Sequence, residues 1–109
     1  MTIEVFKMDS QLVRVGVIQD SGTAISTSGV IQGRLRRDGT LLRGDGGFLG
    51  QIQGNGTIST SITELSRIRI DHVGNILDGN DIIGRLKIDW ASPIPRERAV
   101  YAAWTLLAN

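Results

Sequence analysis

The chain has 109 residues, fourteen of them glycine, with two prolines, no cysteine and five aromatic residues. Twelve basic residues against eleven acidic ones leave a formal charge of +1, so there is no whole-molecule field to draw in nucleic acid or an anionic membrane. The length fits one domain over 1–109, the absence of thiols removes disulfides, zinc thiolate sites and cysteine nucleophiles, and no apolar run is long enough to span a bilayer.

In chain order, residues 1–18 (MTIEVFKMDSQLVRVGVI) carry Glu4 and Asp9 where a secretory leader needs an apolar core, so the expectation is a protein of the cytoplasm rather than an exported one. Glycine then dominates: all fourteen lie between Gly16 and Gly84, nearly twice the average usage of about 7%. They recur in two series. A small residue, one variable residue and Ile or Leu appear at Gly16-Val17-Ile18, Gly33-Arg34-Leu35, Gly50-Gln51-Ile52, Ser66-Arg67-Ile68 and Gly84-Arg85-Leu86, spaced 17, 17, 16 and 18. Between them stand Gly22-Thr23, Gly39-Thr40, Gly56-Thr57 and Gly74-Asn75, spaced 17, 17 and 18. A turn glycine followed by a short apolar run is the pattern of a β-hairpin, and a single hairpin does not stay folded in water. The predicted body over 1–91 is therefore mainly β, four hairpin repeats of about 17 residues sharing a pseudo-symmetric core. The triplet glycines, with Ser66 as the next smallest choice, predict close approach of another backbone.

The triplets and Asp/Asn-Gly turns, as in IIGRL and RRDGT, resemble the four-fold β-flower domains over about residues 16–90. The resemblance implies four hairpin units around a pseudo-four-fold axis and brings no catalytic residues with it.

At 92–109, Ser92-Pro93-Ile94-Pro95 breaks the β pattern, and Pro95 followed by Arg96-Glu97-Arg98 predicts a helix start. Val100, Ala103, Trp104 and Leu107 form one apolar stripe, predicting a C-terminal α-helix that caps the body. Its stripe and Trp90 predict a homo-oligomer contact through Trp90, Val100, Tyr101, Trp104 and Leu107.

Strand alternation puts Leu35, Ile68 and Leu86 inside, so Arg34, Arg36, Arg67, Arg69, Arg85 and Lys87 share the opposite face at equivalent places in three repeats. Guanidinium groups hold phosphate, sulfate or carboxylate bidentately, which points to a non-enzymatic module that binds a small anionic ligand or a protein partner. Nucleic acid is disfavoured for want of interleaved aromatics, and no membrane partner is expected. The alternative is a structural protein assembling through its C-terminal helix. The third reading is an enzyme using His72, which stands in a turn beside Asp71 with no nucleophile arranged around it. Asp20, Asp38, Asp71 and Asp89 recur with the repeat and read as turn formers rather than calcium ligands. Gly44 to Gly50 lacks the Lys-Ser/Thr pair and following helix of a phosphate loop. No catalytic residue, metal or cofactor is therefore expected.

Overall fold

Apolar residues alternate with polar ones from the second residue onward, and this period of two sets the architecture. The computed structural model describes residues 2–88 and 92–108. Ten strands follow one another: β1 (Thr2–Met8), β2 (Leu12–Gln19), β3 (Thr23–Ser26), β4 (Ile31–Leu35), β5 (Thr40–Arg43), β6 (Phe48–Ile52), β7 (Ile58–Ser59), β8 (Ile68–Ile70), β9 (Asn75–Asp78) and β10 (Asp81–Lys87). A short helix α1 (Thr63–Ser66) joins β7 to β8, and α2 (Arg96–Leu107) ends the described chain. All ten strands form one antiparallel sheet in the order β7-β6-β5-β4-β3-β2-β1-β10-β9-β8. Each strand pairs with its sequence neighbours, except that β1 lies between β2 and β10 and the ladder stops between β7 and β8. The mainly β expectation with a C-terminal helix therefore holds; the place of β1 adds to it.

The sheet is curled. Laid flat, ten strands at about 4.8 Å spacing would be roughly 43 Å wide, whereas the longest extent of the molecule is 32 Å and the other two are 29 and 27 Å. Each bend has an identifiable cause. Register slips occur beside Gly16, Gly33, Gly50 and Gly84, leaving Val15, Gln32, Leu49 and Ile83 as the unpaired residue of a bulge. A bulge increases local twist and turns the strand, so four of the triplets predicted to sit at close approaches are where the strands bend. Ser66 departs from that expectation: it ends α1, is exposed, and donates its hydroxyl to the Thr63 carbonyl at 2.6 Å.

The hollow of the curl is filled by α2, which packs against β1, β2, β3, β4, β5, β8 and β10. Ala99, Val100, Tyr101, Ala102 and Ala103 are all buried, and five consecutive positions cover more than a full helical turn. The helix is thus enclosed on every side rather than capping an open end through one stripe, which corrects the sequence expectation. The physical reason is its run of alanines, whose small side chains let strands approach from all directions. Gly33 shows how close that approach is. A Cβ there would lie 2.6 Å from the Thr105 hydroxyl and 2.9 Å from its Cβ. Ile3, Val5, Ile18, Leu35, Leu41, Ile52, Ile68, Ile76 and Leu86 complete the core around the helix.

At the start of α2 the chain reverses in four turns, around Gly22, Gly39, Gly56 and Gly74. In each the glycine amide donates three residues back, to Gln19, Arg36, Gln53 and Asp71 respectively. Gly39 has φ +92°, and a Cβ there would strike the Ile52 carbonyl oxygen, so no other residue fits this turn without strain. No helix among the described residues is long and apolar enough to cross a membrane.

Candidate functional site

Arginines gather where α2 begins. Pro95 is the N-cap residue, with φ −60° and ψ 141° and no side-chain capping bond. Its carbonyl accepts from the amides of Arg98 and Ala99 at 3.0 and 2.9 Å. The first turn of α2 is tied to the surrounding hairpins by its charged side chains: Arg96 Nη1 donates to the His72 carbonyl and Arg98 Nη1 to the Arg37 carbonyl, each at 3.3 Å.

Between this helix start and two of the turns lies a cleft of about 440 Å³. One wall is the turn Asp20, Ser21 and Gly22; a second is the end of β4 with Leu35, Arg36 and Arg37; the third is Pro93, Ile94, Pro95 and Arg98. The lining thus includes three arginines and one aspartate, formal charges that sum to +2 on a chain whose total is +1. Among the described residues neither Arg36, Arg37 nor Arg98 forms an ion pair, in contrast to Arg14 with Glu4 at 3.3 Å and Arg67 with Asp78 at 3.0 Å. Arg36 and Arg37 are exposed and Arg98 is half-buried.

Asp38, in the turn after Arg37, is already engaged. Its Oδ1 accepts from the Thr40 amide at 2.9 Å, and that bond, with the Thr40 side chain and the Arg36 charge, holds its carboxyl below the ordinary range. Asp71 is alike in outcome. Desolvation raises its pKa, but bonds from the Asn75 amide and side chain and from the Val73 amide outweigh it and leave the carboxyl low. Both carboxylates therefore serve their own turns, the role read for them from sequence. Asp89 lies outside the described residues.

The six cations expected on one face are all at least partly solvent-facing, but they fall into separate groups. Arg34 and Arg36 leave β4, four ladder steps from β10, or about 19 Å along the sheet. Arg67 is paired with Asp78, Arg69 donates through Nε and Nη2 to the Gly79 carbonyl at 3.2 and 3.1 Å, and Arg85 Nε donates to Asn75 Oδ1 at 3.1 Å. Lys87 stands across from Glu4 in the β1–β10 register. Arg85 and Lys87 border an outer groove with Phe6, Leu12, Val73 and Ile88. Only Arg36 of the six reaches the cleft at the helix start.

The expected self-association surface changes more. Val100, Tyr101 and Leu107 are 1%, 7% and 8% exposed, consumed by the sheet of their own chain and so withdrawn from any partner. Trp104 is half-buried and borders two further clefts at the far end of α2. Trp90 lies outside the described residues. His72 is exposed in its turn and lines none of the four clefts described.

Arg37 and Arg98 are the residues that sequence reasoning missed. The pair Arg36-Arg37 ahead of an Asp-Gly turn and the Pro95 helix start are separately visible, yet only the curl of the sheet around α2 joins them. No family model, curated protein or solved structure matches the chain.

Proposed function

We propose that the chain is a small non-enzymatic binding module whose ligand is an anion held by Arg36, Arg37 and Arg98 at the start of α2. The observation that carries this reading is the convergence of three arginines, without ion-pair partners among the described residues, in one concave site. Guanidinium groups bind oxyanions through forked, charge-assisted bonds. The uncapped first turn of α2 adds the positive end of the helix dipole.

The scaffold reading that goes with it is four hairpin units around the helix axis, a β-flower-like arrangement. Its support is the recurrence of one hydrogen bond: the carbonyls of Gly22, Gly39 and Gly74 accept from the amides of Leu35, Ile52 and Leu86, each at 2.8 Å.

A thermal-shift titration with phosphate and sulfate at constant ionic strength, against chloride, tests the anion reading. Stabilisation of the wild type that is lost in an Arg36→Glu/Arg98→Glu variant is expected. An equal response from both proteins overturns it.

A second reading is assembly through the opposite end of α2. There Trp104 is only half-buried and neighbours Met8 and Ile82, which are 39% and 43% exposed. Sedimentation of the full chain at micromolar concentration decides it: a monomer ends this reading and leaves the anion site untouched.

A further inference from the structure

We infer that the cleft at the start of α2 takes an organic phosphate monoester with an uncharged apolar body, rather than a bare inorganic anion. This inference rests on the anion reading above and deepens it.

The charges match first. Three guanidinium groups and one carboxylate give the cleft +2, and a phosphate monoester carries about −1.5 to −2 at neutral pH. Its three strong acceptor oxygens suit three forked donors, whereas a carboxylate has only two oxygens to share among them.

Size and lining then call for more than the phosphate. The cleft holds about 440 Å³, within the span of small-molecule sites. A lone phosphate would leave most of that space to water. Beside the arginines, Leu35, Pro93, Ile94 and Pro95 contribute apolar lining to the same cleft. That lining is already built: Leu35 belongs to the core and Ile94 packs against it. Two prolines beside it hold the chain with little rotational freedom to lose on binding. A polar head on the arginines with an apolar body against these residues uses both kinds of lining, and neither an inorganic ion nor a neutral apolar molecule does.

Calorimetric titration of the full chain with inorganic phosphate, phenyl phosphate, benzoate and phenol, at fixed ionic strength and pH 7.5, tests this. Amide shifts at Ser21, Leu35 and Arg98 would locate each probe. Phenyl phosphate is expected to bind about tenfold more tightly than inorganic phosphate, equivalent to about 1.4 kcal/mol, with benzoate weaker than phenyl phosphate and phenol showing no saturable binding. Arg98→Gln should weaken both phosphates by a similar factor, and Ile94→Ser should remove most of the phenyl advantage while sparing inorganic phosphate. Equal affinity for the two phosphates, or benzoate matching phenyl phosphate, overturns this inference and leaves the anion reading standing. Absence of binding by every anion, or binding that neither moves the cleft amides nor responds to Arg98→Gln, overturns both. The wild-type series decides the matter even if Ile94→Ser does not fold.

Discussion

The hydroxyl of Tyr101 donates to the carbonyl of Gly56 at 3.3 Å, in the place where three other turn glycines accept from a strand amide. Among the described residues no such amide donates to Gly56, and β8 lies at the opposite end of the ladder from β7. A side chain of the enclosed helix therefore supplies the bond that the interrupted sheet lacks. Tyr101→Phe should cost about 1 kcal/mol in denaturant unfolding. Hydrogen exchange should quicken at residues 54–60 and stay unchanged at the Gly22 turn. Uniform quickening would mean that Tyr101 contributes only bulk.

The contact between Gly33 and Thr105 predicts an asymmetric double-mutant cycle. Gly33→Ala forces its methyl onto the Thr105 side chain, with an expected loss of about 1 to 3 kcal/mol. Thr105→Ala removes the hydroxyl and methyl but leaves the Cβ, so the double variant should recover part of that loss. Strict additivity of the two changes would show that the strand and helix are not in the described contact.

Two turn glycines separate backbone strain from collision. Gly29 and Gly39 have φ of +89° and +92°, yet a Cβ at Gly29 meets nothing within 4 Å while one at Gly39 strikes a carbonyl oxygen. Gly29→Ala should cost about 1 to 2 kcal/mol from conformation alone. Gly39→Ala should cost more, measured by the same chemical denaturation. Equal costs would mean that the Gly39 turn relaxes.

Stability should decline at both ends of the pH scale, for different groups. The carboxyls of Asp38 and Asp71 are held low in the folded chain, so the unfolded chain takes up protons first. Their contribution is full above the unfolded pKa near 4 and is lost as pH falls through the folded values. Burial raises the Tyr101 phenol above its ordinary 10.0. The unfolded chain then loses that proton first, and stability falls as pH rises past 10. Thermal unfolding of the wild type, Asp38→Asn and Tyr101→Phe across pH 2 to 11 reads each limb; an alkaline limb unchanged in Tyr101→Phe would remove Tyr101 as its source.

Local chemistry was the legible part of this chain. Gly22, Gly39, Gly56 and Gly74 stand in turns with positive φ, and Leu35, Ile68 and Leu86 are buried with their neighbouring cations outside, because positive φ and strand alternation are written in adjacent residues. The enclosed helix was not legible. Periodicity marks large apolar residues such as Val100 and Leu107, while Ala99 and Ala102 carry no strong signal for either water or core. Nor does anything near Thr2–Met8 reveal that it pairs with residues some eighty positions away. The candidate site shared that difficulty, since Arg98 meets Arg36 and Arg37 only after both long-range events.

The enclosure of α2 also makes the finished core depend on contacts between distant parts of the chain. Hairpins from β2 to β7 can form from near neighbours, but β1 has its second partner only when β10 exists, and the hollow stays empty until residues 96–107 arrive. Closing such distant contacts is slow relative to local ones. A chain interrupted before Arg96 would carry a sheet with its apolar face turned to water, the state from which aggregation starts. The last described element is thus the one that covers the inner face of seven of the strands before it.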